Sequence, residues 1–156
     1  MLTELLARIF ELLKPADDRA ELDAEVCELP WVLHIEDDAE FSNALKLRLE
    51  HHGVAVVRAF DGTSGYRSAF LRPADAILLD VELPNGCGDY VLERLKGNSA
   101  TRDIPVIVVT GVVDRSMYRK MMNLGASAYL NKPLDFEELH AELGKYIDIL
   151  PTVPSS

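Results

Sequence analysis

Residues 74–88 read ADAILLDVELPNGCG, a short apolar run that stops at a single carboxylate, Asp80, and breaks at once into a Pro84, Asn85, Gly86 turn. Four or five apolar residues between turn signals read as a strand buried on both faces, the kind that parallel sheets use. Asp80 then stands at the carboxyl end of that strand, the edge of an open α/β sheet where ligands bind. A lone aspartate there is either a reactive group or the start of a turn. The residues on either side decide between the two.

From Leu29 onward, short apolar strands alternate with amphipathic helices. The pattern predicts strands at Trp31–Ile35, Val54–Phe60, Ala76–Asp80, Ile104–Thr110 and Ala128–Asn131. Between them lie predicted helices at Ala39–His51, Thr63–Leu71, Tyr90–Lys96 and Arg115–Leu124, the first with Phe41, Leu45 and Leu49 on one face. After Pro133, Asp135 and Glu138 have capping-box spacing and open a last helix through about Leu150. Five strands and five helices in strict alternation call for an α/β fold, a five-stranded parallel sheet doubly wound with helices on both faces.

The first strand closes on Glu36, Asp37 and Asp38, the third on Asp80, the fourth on Thr110 and the fifth on Asn131, Lys132 and Pro133. All these ends emerge on one edge of a parallel sheet, so residues nearly a hundred positions apart meet there. Clustered carboxylates repel and raise one another's pKa unless a cation sits among them. Oxygen donors without nitrogen or sulfur neighbours suit Mg²⁺, which takes one or two carboxylates together with phosphate oxygens. Lys132 supplies a point charge and Thr110 a hydroxyl, both suited to a phosphoryl group, and Asp80 is the natural nucleophile.

These residues carry a resemblance to the receiver domain of two-component response regulators, over about Pro30 to Leu150. WVLHIEDDAEF resembles the first strand and acidic pair of that family, with Glu36 and Asp37 as the pair. AILLDVELPNGCG resembles the strand and loop of the phosphoacceptor, Asp80. PVIVVTG matches the strand that ends in the switch hydroxyl, Thr110, and GASAYLNKPLDFEEL the segment with the aromatic switch residue, Tyr129, and the lysine, Lys132. The resemblance implies a flavodoxin-like sheet of order 2-1-3-4-5 and a cis Lys132–Pro133 bond. It implies Mg²⁺ held by Glu36, Asp37, Asp80 and the backbone carbonyl of Glu82. It further implies a phosphoryl donor, a sensor histidine kinase or phosphotransfer protein, and a response-regulator function in which Asp80 is phosphorylated and a protein-interaction surface changes. Such a domain catalyses only its own phosphotransfer and dephosphorylation. Two departures stand out: His34 where the family has an aliphatic residue, read as a satisfied core histidine, and Glu82 two residues after the acceptor.

The remaining sequence bounds these readings. The chain has 156 residues, enough for one domain with spare length, and 48% of them are hydrophobic. A net charge of −10 argues against broad attraction to nucleic acid or anionic membrane. Cys27 and Cys87 lack metal-ligand spacing and point to a reducing compartment. No run approaches a membrane span, so a cytoplasmic protein is expected. Residues 1–28 form an amphipathic helix, with Leu2, Leu5, Leu6, Ile9, Phe10 and Leu13 on one side, followed by an acidic linker. That helix packs on its own domain or pairs with a second copy in a homodimer. Residues 29–150 form the receiver and 151–156 a flexible tail, with readout through an unnamed downstream protein. Two other readings use the same acids: a receiver-like scaffold that is never phosphorylated, and a small Mg²⁺-dependent phosphatase with Asp80 and Glu82 as nucleophile and acid/base.

Overall fold

The computed structural model describes residues 29–152 and, ahead of them, Glu4. The expected N-terminal helix, the acidic linker with Cys27 and the last four residues of the tail lie outside the described residues.

The elements follow the predicted alternation: β1 (Trp31–Ile35), α1 (Ala39–His51), β2 (Ala55–Ala59), α2 (Gly62–Leu71), β3 (Ala76–Leu79), α3 (Gly88–Gly97), β4 (Val106–Thr110), α4 (Arg115–Asn123), β5 (Ala128–Asn131) and α5 (Phe136–Leu143). The sheet has the order β2-β1-β3-β4-β5, and every pair is parallel. β3 is the central strand and is buried along its whole length, which is why its sequence is continuously apolar.

Strand parity divides the core. Leu33, Ile35, Ile77, Leu79, Val106 and Val108 face a layer built by Ala69 of α2, Val91, Leu92 and Leu95 of α3 and Met121 of α4. Val32, Leu78, Ile107 and Val109 face Leu45 and Leu49 of α1 and Phe136, Leu139 and Leu143 of α5. With both faces covered, the open surface of the sheet is its carboxyl edge, and the loops there carry the acids.

Local chemistry sets the helix starts. Asp38 caps α1, its side chain accepting from the Phe41 amide. Asp61 and Ser64 form a reciprocal capping box on α2. At α5 the Asp135 carboxylate accepts from the amides of Glu137 and Glu138, as its spacing suggests.

The expected reach of α5 to Leu150 is corrected. The helix ends at Leu143, and the chain turns at Gly144 so that Ile147 is buried against the α1/α5 layer. Leu150 then docks on α1: its amide donates to the His52 carbonyl, and its carbonyl lies 3.0 Å from His52 Nδ1 and 2.7 Å from His140 Nε2. β4 begins at Val106 rather than Ile104, with Pro105 outside the strand while its carbonyl accepts from Ile77.

The turn after β3 is closed by Gly88, whose amide donates to the Val81 carbonyl at 2.9 Å. A Cβ on Gly88 would lie 2.4 Å from the Asp80 carbonyl oxygen and 2.6 Å from Val81 Cα. Only glycine lets α3 start this close to the backbone that carries Asp80. Gly88→Ala is therefore expected to lower stability by about 1–3 kcal/mol, read as a reduced urea midpoint; an unchanged midpoint would show that the loop relaxes freely.

Candidate functional site

β1 and β3 are neighbours, and each delivers acid at its carboxyl end. Glu36 is fully buried, Asp80 nearly so, and Asp37 is exposed. One carboxylate oxygen from each lies within 4.8 Å of the others. Lys132, just beyond β5, reaches across: its Nζ is 2.7 Å from Glu36 Oε2 and 3.2 Å from Asp80 Oδ2, and sits 4.4 Å from the centre of the Phe41 ring. Its backbone amide donates to the Thr110 carbonyl at 2.9 Å, and the Lys132–Pro133 bond is cis.

The other oxygens are also held. Glu36 Oε1 accepts from the Asp38 amide at 3.0 Å, and Asp80 Oδ1 from the Glu82 amide at 3.1 Å. The Glu82 side chain is exposed, and among the described residues no group donates to its carbonyl oxygen.

Three carboxylates face one lysine, and the imbalance appears in both partners. Burial pushes the Glu36 carboxyl up despite the hydrogen bonds from Lys132 and Asp38. Lys132 loses solvation, which lowers its pKa, but the hydrogen bond to Glu36 and the charges of Asp80 and Glu36 outweigh that loss and hold it above the usual lysine range. Glu36 thus holds a proton more tightly because it is buried, and Lys132 because carboxylates surround it. A hard divalent cation meets the same demand with oxygen donors already converged.

Thr110 at the end of β4 and Tyr129 of β5 are linked through Val112. The Thr110 hydroxyl is buried and accepts from the Val112 amide at 3.3 Å, while Tyr129 donates its hydroxyl proton to the Val112 carbonyl at 2.8 Å. Tyr129 also stands edge-on to Tyr118 of α4, with centroids 5.5 Å apart. One residue of the β4–α4 loop thus ties the strand-end hydroxyl to the aromatic side chain of β5.

Sequence reasoning missed three contributors. Arg58 of β2 donates from Nε to the Glu36 carbonyl at 2.9 Å and from Nη2 to the Asp37 carbonyl at 2.7 Å, bracing the loop that carries both acids. Nothing in its local sequence signals this; it depends on the β1–β2 register that pairs His34 with Arg58. Phe41 supplies the ring beneath Lys132. Ser42 sits buried on the apolar face of α1 with Leu45 and Leu49, and lies 3.0 Å through Oγ from His34 Nδ1. A polar residue on an apolar stripe was the available signal. His34 itself is a correction: it is buried, but Nε2 has no hydrogen-bond partner and lies 4.0 Å from Glu36 Oε2.

A profile of the family described as response regulator receiver domain matches residues 32–144. The chain belongs to the response regulator receiver family. It is 35% identical over 124 residues to the transcriptional regulatory protein CrdR of Helicobacter pylori, covering 76% of this chain and 58% of that protein. It is 34% identical over 112 residues to the phosphate regulon regulator PhoB of Escherichia coli, covering 72% and 49%. The chain thus spans about half the length of such relatives. Among solved structures, a response regulator from Chloroflexus aurantiacus superposes with a TM-score of 0.72 at 27% identity, covering 76% of this chain and 98% of the other. The receiver domain of sensor histidine kinase PA1611 from Pseudomonas aeruginosa, solved with magnesium coordinated in its active site cleft, gives 0.70 at 26% identity, covering 75% and 96%. The flavodoxin-like order expected from the resemblance is the order observed. In this receiver Asp80 directly follows the third strand, β3. Among the described residues no helix is long and apolar enough to cross a membrane.

Burial, then the charges of Lys132 and Arg58, lower the His34 pKa to about 3. Folding therefore favours the neutral ring. Its contribution to stability is complete above the ordinary value of 6.5 and is lost as pH falls from there towards 3. Between pH 7.5 and pH 5 this receiver should lose roughly 2 kcal/mol more stability than its His34→Val variant, measured by urea denaturation; equal losses would remove the assignment.

Proposed function

We propose that this receiver accepts a phosphoryl group on Asp80 and thereby changes the surface around α4, β5 and α5. The observation that carries the reading is the convergence of Glu36, Asp37 and Asp80 with Lys132 at one sheet edge.

Glu36, Asp37 and Asp80 would hold Mg²⁺ through their carboxylates and Glu82 through its carbonyl, as the magnesium in the PA1611 receiver suggests. When bound, the ion neutralises charge on the incoming phosphoryl oxygens. The donor is a phosphohistidine on a sensor histidine kinase or a phosphotransfer protein. An Asp80 carboxylate oxygen attacks phosphorus, the P–N bond breaks, and the histidine leaves and recovers a proton. The product is an aspartyl phosphate. Asp80 is oriented before reaction, since the Glu82 amide and Lys132 fix its two oxygens. Lys132, an ammonium whose charge the acids stabilise, is positioned to follow the negative charge onto the phosphoryl group.

Thr110 supplies the next contact. Drawing its hydroxyl towards a phosphoryl oxygen breaks its bond from Val112, and Val112 is where Tyr129 is anchored. The β4–α4 loop and Tyr129 then repack together. The phosphoryl group biases this equilibrium by contacts that it makes better in one arrangement than in the other. The domain acts on no separate substrate; its chemistry is its own phosphorylation and dephosphorylation, in a cytoplasmic setting, with a downstream protein reading the result. Residues 29–150 constitute this unit, and residues 1–28 either pack on it or pair with a second copy in a homodimer.

Mass spectrometry after acetyl phosphate treatment tests the core of the reading. One added phosphoryl group is expected with Mg²⁺ and none without it, with Asp80→Asn unmodified; a labelled Asp80→Asn protein would remove the acceptor assignment. Lys132→Ala should slow labelling by about 100-fold. Light scattering of the full chain against one starting at Leu29 tests the pairing segment, and identical monomer masses would dismiss it.

A further inference from the structure

We infer that His34 is a positioning residue for the acidic site: its Nε2–H is the donor that takes the Glu36 carboxylate when Lys132 turns to a phosphoryl group. The inference rests on the phosphoacceptor reading above and adds a residue that neither the acids nor the lysine explain.

The geometry begins with strand parity. His34 lies in β1 between Leu33 and Ile35 and is 1% exposed. One ring nitrogen, Nδ1, is 3.0 Å from Ser42 Oγ. The other, Nε2, has no partner, and the polar group in front of it is Glu36 Oε2 at 4.0 Å. A neutral imidazole carries its proton on one nitrogen. A bare Nε2 lone pair facing a carboxylate oxygen would repel it, whereas Nε2–H is attracted. Serine donates or accepts equally well, so the carboxylate decides the tautomer: Ser42 donates to Nδ1, and the proton sits on Nε2.

That places a buried N–H about 1 Å beyond bonding distance from a carboxylate oxygen. An orphaned donor of this kind is costly unless another state satisfies it. Here the competing partner is visible. Lys132 Nζ occupies Glu36 Oε2 at 2.7 Å and bridges to Asp80. When Lys132 follows charge onto the phosphoryl group, Glu36 Oε2 loses its ammonium while remaining buried. His34 then closes on it, and Oε1 keeps its bond from the Asp38 amide. Glu36 is thus held by a donor at each oxygen and presents a fixed lone pair to the cation site. This is the arrangement by which groups behind metal ligands tune affinity. An aliphatic residue at position 34 would leave that oxygen without a donor from this side.

The test uses the full chain with Mg²⁺ and beryllofluoride as probes. Nitrogen-15 correlation spectra of the His34 ring should show an unprotonated Nδ1 and a protonated Nε2, and the Nε2–H resonance should move downfield when both probes are added. A protonated Nδ1, or an Nε2–H signal that does not move, overturns the proposal. In calorimetric titration with Mg²⁺ in the presence of beryllofluoride, His34→Val should weaken Mg²⁺ binding about tenfold, while His34→Gln, which keeps a donor near the Nε2 position, restores most of it. Ser42→Ala removes the hydroxyl that orients the ring through Nδ1 and should weaken Mg²⁺ in the same direction, even if His34→Val does not fold. Unchanged Mg²⁺ affinity in folded variants overturns the role of His34 while leaving Asp80 as acceptor. A wild-type protein that takes up neither probe overturns the phosphoacceptor reading, and this one with it.

Discussion

Three carboxylates within 4.8 Å of one another repel, and a single lysine bridges the two buried ones. Lys132 arrives from the far side of the sheet, after β5, and bonds to acids that end β1 and β3. The rest of the site is arranged to keep this cluster assembled while leaving it short of positive charge. Burial raises the proton affinity of Glu36 and the neighbouring carboxylates raise that of Lys132, and converged oxygen donors short of positive charge suit a hard cation.

Backbone, more than side-chain packing, sets the precision. Arg58 braces the acidic loop through two carbonyls, and the amides of Asp38 and Glu82 each hold one carboxylate oxygen. Gly88 brings α3 against the Asp80 backbone more closely than any Cβ would permit. Gly62 plays a similar part at the start of α2, where a Cβ would lie 2.4 Å from the carbonyl oxygen of Gly86. The backbone amides of Asp38 and Glu82 position the acids without adding charge to the pocket.

The path away from the acids is equally economical. Val112 donates to Thr110 and accepts from Tyr129, so the two hydroxyls are linked through the backbone of a single residue. Tyr129 touches Tyr118 of α4, and α4 buries only Met121.

Much of this was legible in the residues. The continuous apolar run of β3, the alternation of strands with amphipathic helices and the acids, hydroxyl and lysine at strand ends determine a parallel α/β sheet with a phosphoryl-binding edge, because a parallel sheet puts every strand's carboxyl end on the same side. What only the tertiary structure decided were contacts that depend on register and on the meeting of distant faces. Arg58 is opposite His34 because β2 pairs with β1 in one particular register, and a shift of one residue would turn it to the other face. His34 read as a contented core residue because a sequence shows that a polar group is buried but not what stands before each of its nitrogens. The early end of α5 likewise follows from Leu150 finding hydrogen-bond partners on His52 and His140, groups that local helix propensity cannot see. Periodicity and strand-end chemistry are written along the chain; the partner of each buried polar atom is set only when the chain closes on itself.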